Sequence, residues 1–440
     1  MEFLALERLC TEKTQPMKED FLQYLWRIQH FNHRRLQTTT GQRIEVIQPG
    51  LHNTHAGPDF LDARLRIGGT LWAGNVEIHL QASDWRAHQH QHDPAYANVV
   101  LHVVLVEDEV IYHPDGERLA TLELQRRIPK RLAQRYQKLL QQQTWIPCQA
   151  QFTQVPELTR WMWLDRLLVE RLEAKTARIR ERLLHSQNDW ESSFYQLLAR
   201  AYGLQVNADP FEQLARSLPL NLIGKHKDQL RQIEALLFGQ AGLLEKDFKD
   251  DYPQKLQREY RHLRAKYQLR PLPPASWKFL RLRPANFPTL RIAQFAMLLH
   301  QATHLFSKVL VARRVVEIEN LFDRRISAYW QTHYRFDRPS QKRTKKLGKK
   351  TIHLLLINTI APFIFHYGHT QDEARYKDQA LQLLEELPAE HNHIIQHWKQ
   401  LDMQPKSAYQ SQALLQLKKQ YCQRKRCLQC GIGHAIFSKG

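Results

Sequence analysis

The chain has 440 residues, with 64 lysines and arginines against 44 aspartates and glutamates, a net charge of +20. That length predicts two or three domains, and the cation excess favours polyanions through counterion release. Five cysteines are too few for a secreted disulfide framework. The first eighteen residues lack the apolar core of a signal peptide, and no apolar run reads as membrane-helix length. The expectation is a cytoplasmic protein whose partner is DNA or RNA, with no membrane. Ten tryptophans and fifteen tyrosines add stacking surfaces for bases.

Residues 1–16 read as a flexible extension. DFLQYLWRIQH, from residue 20, carries Phe21, Leu22, Leu25, Trp26 and Ile28 at helical spacing. RIEVIQPG then reads as a strand ending in a turn, and DFLDARLRIGG as a strand that stops at Gly68-Gly69. TLWAGNVEIHLQ follows after that two-residue gap, which predicts a hairpin. SDWRAHQHQHDPAYA predicts a short helix capped by Ser83 or Asp84. NVVLHVVLVEDE has the continuous apolar character of a central strand; VIYHPDG and ATLELQ predict two more. The fold class expected is α+β, with an αβββαβ core over 17–126 followed by a large all-α region. Residues 127–270 read as a helical domain in which Gly203 is a C-cap. Residues 271–440 read as a second helical region that opens on a Pro-rich break.

Three constellations carry chemistry. The first is Pro58-Asp59 at the start of one strand and Glu77-Ile78-His79 on the next. Side chains alternate along a strand, so Glu77, His79 and Gln81 share a face, and hairpin pairing brings Asp59 toward them. Carboxylates so placed suit a hard cation such as Mg²⁺ or Mn²⁺, which polarises a phosphate and helps form hydroxide. Glu19, on the first helix, is a candidate accessory acid. The second constellation is the run His79, His88, His90, His92, Asp93 and His102. It admits an alternative metal-dependent hydrolase using Zn²⁺, Mn²⁺ or iron, with His79, His88 and Asp93 as ligands; it also reads as an exposed polar loop with His102 buried in a strand. The third is Cys422-x4-Cys427-x2-Cys430-x3-His434. This spacing suits a zinc ion or an iron–sulfur cluster, with His434 or the distant Cys148 as fourth ligand; the thiols also read as reduced and unligated, beside Arg424, Lys425 and Arg426.

Two further stretches are candidate polyanion contacts. RPANFPTLRIAQ carries Arg283, Asn286 and Arg291, which contact a nucleic-acid backbone or brace helices. The run from Lys342 to Lys350 holds six cations, among them Lys345, Lys346, Lys349 and Lys350; it is a phosphate contact or a solvated linker.

Pro58-Asp59 with Glu77-x-His79 resembles the PD-(D/E)xK nucleases, with histidine at the position where that family has lysine. The resemblance implies a restriction-endonuclease-like core and a metal-dependent phosphodiesterase. The lysine replacement equally fits a non-catalytic nucleic-acid-binding scaffold. Some helicase-associated nucleases of that superfamily are closed by a four-cysteine iron–sulfur cluster, and the C-terminal cysteines look similar to that arrangement. The strings HAGPDFLDARLRIGGTLWAGNVEIHLQASDW, YANVVLHVV, RPANFPTLRIAQFA and KKTIHLLLINTIAPFIFHYG, with the final CLQCGIG, resemble a bacterial family of unknown function (DUF2851-like). That resemblance spans about 17–436 and implies one architecture, with Cys10 outside it.

Overall fold

A computed structural model describes residues 17–438. The expected extension over 1–16, Cys10 included, lies outside the described residues. The chain divides into two compact units: residues 17–163 with 417–438, and residues 164–416.

The first unit is built on a mixed sheet. Helix α1 (Glu19–Ile28) begins with two acids, Glu19 and Asp20, which favour a helix N-terminus. It ends at Gln29, whose left-handed backbone returns its N–H to the Leu25 and Trp26 carbonyls. Phe21, Leu22, Leu25 and Trp26 are fully buried. Strands β1 (Ile44–Gln48), β2 (Leu51–His52), β3 (Phe60–Ile67), β4 (Thr70–Gln81), β5 (Val99–Val106) and β6 (Thr121–Glu123) follow. Their order is β1-β3-β4-β5-β6, with β2 also on β3, and α1 packs on β4. The expected hairpin closes with Ile67 opposite Thr70. Gly68 and Gly69 both have positive φ, +58° and +95°, as a two-residue turn that matches strand twist requires. A bulge between Phe60 and Ala63 interrupts the β3–β4 ladder just beyond Asp59. Strand β4 then pairs in parallel with β5, and β5 with β6. Val76, Glu77, Ile78 and His79 are all buried, so β4 is covered on both faces.

The crossover from β4 to β5 departs from the expected helix. It holds one helical turn, Asp84–Ala87, and two 3₁₀ turns, His90–His92 and Pro94–Tyr96. Gln89 is left-handed at φ +61°, and Pro94 has no N–H to continue a helix. Asp93 caps the second turn by accepting from the Ala95 N–H. VIYHPDG is likewise no strand: a single bridge, Tyr112 to Arg118, closes a turn there.

The second unit is helical, apart from a small hairpin of His333–Arg335 against Arg338–Pro339 just before the basic run Lys342–Lys350. Glu212, buried, gathers Arg182, Arg200 and Arg216 at 2.7, 2.8 and 3.0 Å. Gly203 does cap helix Trp190–Tyr202, but in a right-handed conformation. Glycine is needed there because a Cβ would lie 2.2 Å from the Asn207 carbonyl oxygen. The segment Lys349–Thr370 corrects one sequence expectation. Its 22 residues are long and apolar enough to cross a membrane, yet 72% of its apolar window is buried within the protein. It contains a π turn, Leu356–Ile360, just before Pro362, a way of absorbing a ring that an α-helix would clash with.

Candidate metal centre

Asp59 lies immediately before β3, and Glu77 is near the middle of β4. Their side chains interlock. The Asp59 N–H donates to Glu77 Oε2 at 3.0 Å, and the Ile78 N–H donates to Asp59 Oδ2 at 3.1 Å. Gln23, from α1, donates to Asp59 Oδ1 at 2.8 Å. Burial raises the pKa of both acids. For Asp59 the bonds from Gln23 and Ile78 oppose the rise; for Glu77 the nearby Asp59 adds to it. Glu19, four residues before Gln23, is pushed up to about 7 by burial and then by Asp59. The charges acting most on Glu77 are thus Asp59 and Glu19, both acids. Carboxyls raised by burial and by neighbouring acids in this way would be relieved by a cation.

Glu77 also faces histidines. Its Oε1 is 3.6 Å from His79 Nε2 and 3.5 Å from His90 Nε2. His79 Nε2 is 3.2 Å from His88 Nδ1, and ligand nitrogens of His79, His88 and His90 lie within 4.8 Å of one another. A tetrahedral ion with bonds of about 2.0–2.1 Å needs donor separations of about 3.3 Å, so the spacing fits. Behind this set, His79 Nδ1 is 2.8 Å from His102 Nε2, both rings being fully buried. The His90 ring is stacked 3.8 Å from Tyr96, and its Nε2 is buried without a hydrogen-bond partner. Burial, reinforced by neighbouring histidines, holds His79 at about 2, His102 at about 3 and His90 at about 4. These rings are neutral at physiological pH, the state that ligates metal.

The sequence-level candidates therefore part company. Asp59, Glu77 and His79 come together, with Glu19 beside them. Gln81, further along β4, is exposed, and its backbone N–H donates to Asp84. Asp93 is occupied as a cap, so the third histidine of the set is His90 in its place. Gln23 and His90 were missed. His90 was visible in the HQHQH run, but the expected helix scatters these rings and the expected polar loop exposes them; Gln23 carried no signal beyond its place four residues after Glu19. Cys148, Cys427 and Cys430 are buried and Cys422 is half-buried, all as free thiols in the first unit. His434 Nδ1 is 3.2 Å from the Tyr24 hydroxyl.

A cavity of about 280 Å³ lies beside α1. Lys18, Arg27, His52, Arg424, Lys425 and Arg426 line it together with Gln23, the residue that holds Asp59. In the second unit, Arg283 and Lys350 are exposed. Arg291 is buried and donates to Asn286 at 2.7 Å and to Gln294 at 3.2 Å. Lys345 is also buried and donates to the His333 carbonyl and the Ser340 hydroxyl. Lys346 pairs with Asp323 and Lys349 with Glu319. For Arg291 and Lys345 these contacts are internal bracing.

The protein is thus an α+β chain with a buried acid–histidine site on one sheet. Its residues 19–393 match a family described as "Protein of unknown function (DUF2851)", and the chain belongs to that family. No curated protein and no solved structure matches it.

Proposed function

We propose that the chain is a metal-dependent phosphodiesterase acting on nucleic acid, on a restriction-endonuclease-like core. The observation that carries this reading is the interlock of Asp59 with Glu77 across the β3–β4 hairpin, with His79 two residues on. The sheet order and the parallel β4–β5 pair support the same core. The net charge of +20 and the cationic cavity next to Gln23 support a phosphate-backbone substrate.

In this reading Asp59, Glu77, His79, His88 and His90 hold the ion. Nitrogen donors favour Mn²⁺ or Zn²⁺ over Mg²⁺. Bound there, the ion would supply Lewis-acid polarisation of a phosphoryl oxygen and lower the pKa of water. Gln23 orients Asp59, and His102 fixes the His79 ring. Glu19, pushed up to about 7, is poised to exchange a proton near neutral pH. Arg424 and Arg426 grip the backbone. Histidine at position 79 then replaces the permanent charge of a lysine with a metal ligand.

The test is cleavage of labelled single- and double-stranded DNA and RNA with Mn²⁺, Zn²⁺ or Mg²⁺. The parent protein cleaves at least one substrate, and Asp59→Asn, Glu77→Gln and His79→Ala do not. Equal cleavage by parent and variants would refute the assignment. Binding without cleavage would favour the non-catalytic scaffold.

A further inference from the structure

The cavity beside α1 has a lining more elaborate than contact with a passing backbone requires. Asp20, Gln23, Tyr24 and Arg27 border it from α1, at the i, i+3, i+4, i+7 spacing of one helix face. Tyr136 and Leu140, from helix Lys130–Gln141, and His52, from β2, form a second wall. Residues 423–426, with Leu428 and Gln429, form a third. That third wall is fastened in place. Lys425 is left-handed at φ +52°, a conformation that a residue with a side chain keeps only where contacts fix it. Here the N–H groups of Lys425 and Arg426 donate to the Cys422 and Tyr421 carbonyls at 3.2 and 2.9 Å. Lys425 Nζ donates to the Leu140 carbonyl, and Arg27 Nη2 to the Leu428 carbonyl at 3.0 Å. These bonds join α1, the C-terminal segment and helix Lys130–Gln141 around one space.

Charge and size define what that space takes. Lys18, Arg27, Arg424, Lys425 and Arg426 bring five permanent cations to it, against the one carboxylate of Asp20. All five are exposed, whereas Tyr24, Tyr136 and Leu428 are buried, so charge lies at the opening and apolar surface beneath. A phosphodiester within a strand carries a single negative charge and continues on both sides. A phosphomonoester carries about −1.5 to −2 and continues on one. The volume of about 280 Å³ is just below the roughly 300–1,000 Å³ of small-ligand pockets, which suits a strand end and not a passing duplex. Gln23 sets the cavity next to the chemistry, because it lines the cavity and donates to Asp59 Oδ1 at 2.8 Å. The geometry points to a site for the terminal phosphomonoester of a nucleic-acid strand, an inference that rests on the phosphodiesterase reading for the strand attached to that phosphate. The held end selects which diester reaches Asp59 and Glu77, so cutting starts from that end. In that step a water oxygen bonds to phosphorus, the bond from phosphorus to the neighbouring sugar oxygen breaks, and that oxygen takes up the proton the water loses.

The experiment measures binding of the full chain in EDTA, where metal-dependent cleavage is off. Fluorescence anisotropy follows an internally labelled single strand whose ends carry a 5′-phosphate, a 3′-phosphate or hydroxyls only. One phosphorylated strand binds roughly tenfold or more tightly than the hydroxyl strand, the scale of one charge-assisted hydrogen bond, and the arm that does so identifies the end. Equal affinity for all three overturns the proposal. So does displacement of the phosphorylated strand by an equal concentration of mononucleotide, which would make this a site for free nucleotides. Replacing Arg424 and Arg426 together by alanine abolishes the preference, whereas Arg131→Ala, exposed and outside the cavity, leaves it unchanged. A preference that survives the double substitution overturns the assignment to this cavity, and the parent protein's own ratio decides the matter should that variant misfold. A parent that shows the preference but cleaves nothing keeps this site and loses the phosphodiesterase reading. One that cleaves closed circular strands as fast as linear ones does the reverse.

Discussion

Replacing His102 by leucine tests whether His79 is a ligand. His79 can offer Nε2 to an ion only if its proton sits on Nδ1. That proton must then be donated to His102 Nε2, 2.8 Å away. Leucine removes the acceptor at a point with no solvent access. The ligating tautomer is left with a buried, unpaired N–H, a cost of about 1–3 kcal/mol. The other tautomer avoids that cost but puts a proton where the ion would sit. At about 1.4 kcal/mol per tenfold, metal affinity falls by roughly five- to 150-fold, in the range seen when a histidine ligand loses its outer partner. His102→Gln restores a carbonyl acceptor and recovers most of the loss. The assay is calorimetric titration of Mn²⁺ and Zn²⁺ into metal-stripped protein at pH 7.5, with thermal unfolding as the control for the fold. A folded His102→Leu protein that binds metal as tightly as the parent would show that His79 is not oriented for ligation.

Three other outcomes follow from the same structure. His79, His90 and His102 are held neutral in the fold, at about 2, 4 and 3, against 6.5 when unfolded. Depressed histidines stabilise above pH 6.5, and that stability is lost as pH falls, by up to about 4 kcal/mol per pH unit for three protons. Urea unfolding of metal-free protein between pH 7 and 5 checks this, and a flat profile would count against it. Glu234 behaves oppositely: burial raises it from 4.5 to about 7, so its contribution is full below pH 4.5 and lost as pH rises through 7. Glu234→Gln should therefore gain about 3 kcal/mol relative to the parent between pH 4.5 and 8, read from urea midpoints; an unchanged difference across that range would contradict it. Arg424→Ala and Arg426→Ala should each reduce the slope of log affinity for DNA against log salt by about one, measured by fluorescence anisotropy; no change in slope would remove them from the interface.

The legible parts of the sequence were those decided locally. Gly68-Gly69 and the alternation on either side fixed the β3–β4 hairpin, and with it the meeting of Asp59 and Glu77. The 82–98 crossover was illegible because a single left-handed residue, Gln89, and one proline turned an expected helix into separate turns. That change folds His90 back toward Glu77, which neither the expected helix nor an exposed loop would do. Cys148 against His434 as partner of the C-terminal cysteines was not legible from spacing, because Cys148 lies more than 270 residues from Cys422 along the chain. Charge runs misled for a different reason. Arg291 and Lys345 look no different in sequence from exposed neighbours, and only the surrounding carbonyl and amide acceptors draw them inward.

The division of the chain also sets an order of events. Residues 417–438 belong to the same unit as residues 17–163, with the whole second unit made in between. A ribosome therefore releases the sheet, with its acids and histidines, well before the residues that complete that unit. Domains tend to fold as they emerge, so the β-sheet half would wait, its α1 face uncovered, until synthesis had passed residue 430. Only then could Lys418 and Lys425 reach the Trp145 and Leu140 carbonyls to which they are bonded. A product truncated after residue 416 would keep Asp59, Glu77 and His79 yet lack Arg424, Lys425 and Arg426, which makes the last stretch of translation a checkpoint on a finished site.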